Sequence, residues 1–246
     1  MKKQKNNNQK TNRRIFFIVT IMLTIGIAGF FSYSYYKNQT NREITQKMID
    51  TFSMIEKLPT LQEENLDNQI NQWQKTKAQA VKAIIDIKRM SITNVMVADE
   101  LKEEIVSYYD TQLSDHLNEL KTLAFLVRIK KDLILPATNS QEDTVREMGA
   151  LQSRIENLMM SGTFTLSPDF NDQSQKARQE FENYYKSVQE NYEKVKKGKT
   201  VSLDPSKLNQ AIDDLSNNIK RSLADYIERQ DELSRKVESS KNKKFF

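Results

Sequence analysis

The last long segment of the chain, residues 204–237, reads DPSKLNQAIDDLSNNIKRSLADYIERQDELSRKV. Asp204 is a helix-capping residue, and Pro205 follows it at the first helical position. Apolar residues then recur at steps of four and three, the heptad pattern of a helix that packs along one face. This seam comprises Leu208, Ile212, Leu215, Ile219, Tyr226 and Leu233, with weak points at Ser222 and Arg229. The pattern predicts a helical rod about 50 Å long.

The heptad seam admits two interpretations. Its apolar residues either close a helical bundle within the chain or pair with another chain, as in a coiled coil. The spacing alone does not decide between these two arrangements, because both bury the same face.

The rest of the chain is divided into helical stretches by breaking residues. All four prolines, with Gly162 and Gly198, fall between stretches of apolar period 3.6, whereas Gly149 lies inside one. Pro59 should end the first helix near Lys57, and Thr60 to Glu63 reads as a capping box for the next helix. Asn94 to Val97 should form a joint, a later helix should start near Ser140, and another should end at Lys196 to Gly198. The fold class predicted is all-α, an elongated helical bundle with coiled-coil character that follows one N-terminal transmembrane helix.

A long uncharged segment near the N-terminus predicts that transmembrane helix. Residues 15–31 read IFFIVTIMLTIGIAGFF, and residues 32–36 extend the uncharged stretch. A helix that spans a membrane needs about 20 mostly apolar residues. Tyr33, Tyr35 and Tyr36 fall where the outer interface should lie, a depth that tyrosine favours.

Six basic residues before this segment predict its orientation: Lys2, Lys3, Lys5, Lys10, Arg13 and Arg14. Basic flanks stay in the cytoplasm, so the C-terminal domain should lie outside the cytoplasmic membrane. Without these six, residues 37–246 hold 32 bases against 33 acids. The folded part therefore lacks the overall basic charge of a nucleic-acid-binding protein, and no nucleic acid is expected as a partner.

The predicted organisation has five parts. They are a basic cytoplasmic tail at 1–14, a transmembrane anchor at 15–36, a juxtamembrane helix at 37–59, an extracytoplasmic bundle at 60–240 and a basic, aromatic tail at 241–246. The last tail is too short to span a membrane. It could touch a partner, an anionic wall polymer or the membrane surface.

Few residues suggest chemistry. The chain has no cysteine and a single histidine, His116, so a transition-metal site could not be completed and a surface position is expected for this side chain. The acidic pairs on the predicted helices suit a solvated charged face. Tyr108, Phe181, Tyr184 and Tyr192 fit core spacing, whereas Tyr109 and Tyr185 should face outward. We expect no catalytic residues, no metal and no cofactor.

The leading hypothesis is a non-enzymatic scaffold or interaction protein of a bacterial cell envelope, in assembly, division, secretion or conjugation. Its partners would be the cytoplasmic membrane and other proteins, or further copies of the chain, bound through helices. One alternative is an extracytoplasmic sensor or ligand-binding domain that signals through a partner membrane protein. Another is a secreted helical protein released by cleavage near Ser34, where Ser32-Tyr33-Ser34 offers a weak small-x-small site.

Overall fold

The computed structural model describes residues 2–90, 96–138, 140–160 and 170–241, with side chains from Met22 onward except at 41, 96–98 and 241. Seven α-helices make up these ranges: α1 Lys2–Ser53, α2 Leu66–Arg89, α3 Met96–Val106, α4 Leu113–Asp132, α5 Gln141–Met160, α6 Asn171–Lys196 and α7 Ser206–Lys241. A 3₁₀ turn at Glu63–Asn65 precedes α2, and a π turn at Ser107–Gln112 joins α3 to α4. The predicted all-α class and helical bundle are confirmed.

Helix α7 runs antiparallel to α3 and α4 over almost its whole length. Polar contacts at three levels mark the register: Lys236–Glu104 at 2.5 Å, Arg229–Gln112 at 3.0 Å and Lys130–Asp213 at 2.6 Å. As the residue number rises on α7, it falls on α3 and α4. The C-terminal half of α7 therefore packs near α3, and its N-terminal half near the end of α4.

Two groups of helices share α7. One group is the end of α1 with α2, α3 and α4, in which α1 and α3 lie on the C-terminal half of α7 and α4 runs along its middle and N-terminal half. The other group is α5 and α6, in which α6 packs on the N-terminal half of α7. Helix α5 lies antiparallel on α6, where the Tyr185 hydroxyl donates to Glu156 at 2.7 Å. The Tyr184 hydroxyl donates to the Leu133 carbonyl at 3.1 Å, so the two groups meet at the end of α4.

The buried row on α7 departs from strict heptad alternation. After Ile219 the next fully buried residue is Leu223 rather than Ser222, and after Tyr226 it is Gln230 rather than Arg229. The extra step of four is a stutter, which keeps the row facing its neighbours as an α-helix drifts relative to a seven-residue repeat. The sequence reading missed both Leu223 and Gln230 because it carried the alternation straight through Ser222.

The first helix ends earlier than predicted, and the next begins differently. Helix α1 stops at Ser53, and residues 54–62 continue without α-helix although Ile55 and Leu58 are buried. The capping box predicted at Thr60 to Glu63 does not form. Neither Gln62 nor Asn65 caps a helix with its side chain. Side chains from other helices bond the backbone here instead, as described below.

Two predicted helix ends are confirmed. Ser140 caps α5 by accepting a hydrogen bond from the Asp143 amide at 3.0 Å. At the end of α6, Gly198 has φ of +79° and the Lys199 amide bonds the Lys194 carbonyl at 3.1 Å. This left-handed position after the last turn is one that glycine adopts without strain.

Gly149, the glycine inside a predicted helix, has a packing role. A Cβ atom at this position of α5 would lie 3.3 Å from the Tyr192 hydroxyl. The missing side chain lets the Tyr192 ring of α6 lie close against α5. Glycine weakens a helix by about 1 kcal/mol relative to alanine, and at Gly149 this cost accompanies a tight helix–helix contact.

Among the residues that the structure describes, no helix combines the length and apolar character needed to cross a membrane. The side chains of residues 1–21, which include the six N-terminal bases and the first part of the expected anchor, lie outside the described set. Of the joint expected at Asn94 to Val97, residues 94 and 95 lie outside the described ranges, and α3 begins at Met96.

The stutter on α7 predicts a contrast between two alanine substitutions. Leu223→Ala should lower the free energy of unfolding by about 2–5 kcal/mol, because it empties a fully buried position. Arg229→Ala, at an exposed position, should change it by no more than about 0.5 kcal/mol. Urea unfolding of the full chain in detergent, followed by circular dichroism, measures both. Equal losses in the two variants would contradict the register described here.

Candidate functional site

The π turn at Ser107–Gln112 places two adjacent tyrosines in the core. Neighbouring residues of an α-helix point about 100° apart, so one of such a pair normally faces outward. Here Tyr108 is 1% exposed and Tyr109 is 3% exposed. The outward position expected for Tyr109 is wrong, because the wider π turn admits one more residue into the same helical stretch. Tyr185, which was also expected to face outward, is half-buried.

Tyr108 and Tyr226 form a reciprocal pair between the π turn and α7. Their rings stack with centroids 4.2 Å apart and planes 2° from parallel. The Tyr108 hydroxyl donates to the Tyr226 carbonyl at 2.9 Å, and the Tyr226 hydroxyl donates to the Tyr108 carbonyl at 2.7 Å. Trp73 of α2 packs beside the pair, with its ring centroid 5.9 Å from that of Tyr226. Sliding α7 by one residue would break both hydrogen bonds and the stack.

His116 lies in this core rather than on the surface, so the surface position expected for it is wrong. Its Nδ1 is 2.9 Å from Oε2 of Glu119, its ring centroid is 4.1 Å from that of Tyr226, and its side chain is 18% exposed. The Ser222 hydroxyl of α7 donates to the same Glu119 oxygen at 2.9 Å. The polar Ser222 that weakens the heptad seam is therefore the partner of a carboxylate whose side chain is 3% exposed.

The geometry of these three residues differs from that of a nucleophile–base pair. In such a pair one imidazole nitrogen accepts the hydroxyl proton while the other is held by the carboxylate. Here Nδ1 of His116 and Oγ of Ser222 both approach one oxygen of Glu119, and the two atoms are 3.5 Å apart. The arrangement satisfies buried polar groups, as folded cores require.

A second cluster of polar contacts holds residues 54–62, which we call the strap. Three glutamine side chains bond its backbone. Gln230 of α7 accepts from the Leu58 amide at 2.7 Å. Gln79 of α2 accepts from the Glu56 amide at 3.1 Å. The Gln69 side chain of α2 accepts from the Gln62 amide at 3.2 Å and donates to the Thr60 carbonyl at 2.7 Å. These bonds replace those that a helix would have provided, which explains why α1 can stop at Ser53 while the chain stays packed.

Gln230 joins the strap to the tyrosines. Its side chain is 2% exposed, and its Nε2 donates to the Tyr109 hydroxyl at 2.7 Å. The Phe52 ring at the end of α1 also contacts the Tyr109 ring, with centroids 6.1 Å apart. A continuous set of buried contacts therefore runs from the end of α1 through the strap and Gln230 to the π turn. We call it the junction.

Surface ion pairs follow the strap along its exposed side. Lys57 pairs with Asp231 of α7 and Lys75 of α2 pairs with Glu56, both at 2.8 Å. Lys220 of α7 pairs with Glu63 at 2.6 Å. Exposed pairs of this kind contribute about 0–1 kcal/mol each, so they mark the path of the strap more than they stabilise it.

The heptad seam is closed inside the chain. Leu208, Ile212, Leu215, Ile219, Tyr226 and Leu233 are each 2% exposed or less. Of the two interpretations of the seam, closure within the chain is the one that the structure shows, and these residues offer no surface to a partner. By contrast, Tyr33, Tyr35 and Tyr36 on α1 are 65–73% exposed.

A cleft of about 430 Å³ lies at the end of the bundle away from α1, next to the start of α7. It is lined by residues 135–138, Gln141, Thr144, Val195 and residues 198–201. Across the part of the chain with described side chains, no group of three or more histidine or acidic residues could hold a metal ion.

Comparisons with protein families, with curated proteins and with solved structures found no match to this chain.

Burial of the tyrosines predicts alkaline unfolding. Desolvation raises the pKa of Tyr109 from 10.0 to about 12, and it raises the pKa values of Tyr108 and Tyr226 still further. Above pH 10 the unfolded chain releases protons that the folded chain keeps, so stability falls as pH rises. Each of these tyrosines can lower the free energy of unfolding by up to about 1.4 kcal/mol for every pH unit above its pKa in the unfolded chain. Tyrosinate absorbance from these three should appear together with loss of helical circular dichroism; ionisation without unfolding would contradict their burial.

Gln230→Ala tests the link between strap and tyrosines. It leaves the Leu58 amide and the Tyr109 hydroxyl without the partners described above, and we expect a loss of about 2–4 kcal/mol in unfolding free energy. Gln179→Ala, the same change at an exposed position of α6, is the matched control and should be near neutral. Hydrogen exchange should also accelerate at Leu58 in the first variant alone. Protection of that amide as strong as in the unaltered chain would show that the strap does not depend on Gln230.

Proposed function

We propose that the chain is a non-enzymatic scaffold or interaction protein of a bacterial cell envelope, anchored in the cytoplasmic membrane by residues 15–36. In this proposal residues 1–14 lie in the cytoplasm, and the bundle, with coiled-coil character along α7, lies outside. The observation that carries the proposal is the contrast along α1 between an exposed apolar half and a buried half.

The described part of the proposed anchor exposes its apolar side chains on every side. Met22, Leu23, Ile25 and Ile27 are 53–68% exposed, and Phe30 and Phe31 are 66–68% exposed. Water is a poor solvent for a surface of this kind, whereas the hydrocarbon of a bilayer is a good one. The uncharged stretch of residues 15–31 and the six preceding bases support the same proposal.

The second half of α1 belongs to the bundle. Thr45, Met48, Ile49 and Phe52 are each 7% exposed or less, and α1 packs on α2, α3 and α7. The junction then fixes the chain as it leaves this helix. This arrangement supports a scaffold role, because it holds the bundle firmly on its anchor.

Two observations favour this proposal over an enzyme and over a protein that assembles through the seam. The buried His116, Glu119 and Ser222 lack the geometry of a nucleophile and its base, and they lie in the core rather than in the far cleft. The seam is used within the chain, so a protein partner would meet another surface. The far cleft, beside Ile134 at 66% exposure, is the surface that we propose for it.

Membrane extraction and protease accessibility test the anchor and its orientation. In bacterial cells, the full chain with a C-terminal epitope should stay in membranes washed with alkaline carbonate, and protease added to spheroplasts should remove the epitope. Leu23→Arg with Ile25→Arg should release the chain, since each arginine at the centre of a span costs about 2.5–3.5 kcal/mol. The matched control is Leu23→Ile with Ile25→Leu.

Three results would overturn this placement. They are extraction of the unaltered chain by carbonate, protection of the epitope in spheroplasts, and recovery from the medium with a new N-terminus at Tyr35, which would establish the secreted alternative. For the scaffold role, crosslinking of intact cells should recover a protein partner with the full chain. Ile134→Asp should reduce that recovery, whereas a partner retained in full would exclude the far cleft.

A further inference from the structure

The C-terminal end of α7 returns to the end of the bundle where α1 enters. The strap runs antiparallel to α7, since Leu58 bonds Gln230 and Glu63 pairs with Lys220. Helix α1 precedes the strap and packs on α7. Burial in α7 reaches Val237 and Ser240, at 3% and 4% exposure, and burial in α1 begins at Thr45. The last turn of α7 and the entry of α1 therefore lie at the same end of the bundle.

This end is close to the outer interface of the proposed anchor. From Thr45 back to Tyr36, α1 rises by about 14 Å at 1.5 Å per residue. Helix α7 ends at Lys241, and the five residues after it can extend over about 17 Å at 3.3–3.6 Å per residue. The segment that follows α7 is therefore long enough to reach the depth at which Tyr35 and Tyr36 lie.

The chemistry of that segment suits a lipid surface. Residues 241–246 read KNKKFF, with three bases, no acid and two adjacent phenylalanines. Lysines near a membrane are attracted by anionic headgroups, and aromatic rings insert at the interface. Without the tail, residues 37–240 hold 29 bases against 33 acids, so the bundle is only weakly anionic, and its charge is sparse beside that of an anionic lipid surface.

We propose that residues 241–246 dock on anionic lipid headgroups of the outer leaflet and form a second membrane contact beside α1. This inference rests on the proposed anchor. Two contacts at one end of the bundle restrict its tilt, whereas a single helix leaves the bundle free to lean. The far cleft would then be held at a defined height above the membrane.

A labelled cysteine tests the contact in the full chain. The sequence has no cysteine, so Phe246→Cys provides a single site for an environment-sensitive fluorophore such as NBD. The protein is reconstituted into vesicles of phosphatidylcholine and phosphatidylglycerol at about two to one, a composition that carries a negative surface potential. Emission should shift to shorter wavelength, and lipids with a shallow doxyl quencher should quench it. In phosphatidylcholine alone both effects should be lost.

The controls separate this inference from the proposed anchor. Thr200→Cys, in the exposed loop at the far end of the bundle, should report water in both vesicle types. Replacing Lys241, Lys243 and Lys244 by glutamine should abolish the effect of phosphatidylglycerol on the label at 246, as should about 1 M salt. Flotation of the vesicles in alkaline carbonate reports the anchor independently.

The outcomes are distinct. Protein that floats with its label at 246 in water would overturn the tail contact and leave the anchor intact. Protein that does not float would overturn the proposed anchor, and with it the basis of this inference. A shifted emission that is the same in detergent, in neutral vesicles and in anionic vesicles would place the tail against the protein instead of the lipid.

Discussion

The buried face of α7 is the constraint on which the rest of the bundle depends. Helices α1, α3, α4 and α6 pack on it, Trp73 of α2 reaches Tyr226 on it, and α5 packs on α6. With 37% hydrophobic residues, the chain cannot build a broad core, so its helices share one long apolar row. Closing that row within the chain removes it as an interface, so the partner that we propose would have to bind another surface.

A narrow apolar row specifies register poorly, because one step of four or three along a helix resembles the next. The buried polar groups of the bundle specify the register that the apolar row leaves undetermined. Tyr226, Ser222 and Gln230 bond defined groups on facing elements, and a slip of α7 would leave those groups buried without partners. Polar residues in a core reduce its apolar content, but they also make the alternatives to the native alignment unfavourable.

The sequence predicted the helices better than it predicted the contacts between them. Helical period and helix-breaking residues act locally, so the fold class and the ends at Ser140 and Gly198 could be foreseen. The strap could not, since the Leu58 amide finds its partner Gln230 at a separation of 172 residues. Tyr109 and Leu223 were missed for another reason. A π turn and a stutter each shift the buried face, and a pattern read with one fixed period passes over both.

The same local rules explain how α1 joins the proposed anchor to the bundle without a break. Between Tyr36 and Thr45 the chain has no proline or glycine, and side chains one turn apart bond along it, such as Thr40 to the Tyr36 carbonyl at 3.0 Å. Sharp bends in helices arise at proline, at glycine or at irregular turns, and the helix is continuous here. Rotation of the proposed anchor would therefore reach Met48 and Phe52 without loss at a hinge. Beyond Ser53 the contacts of the junction would transmit this rotation to α2 and α7, so the bundle and the proposed anchor would rotate as one body.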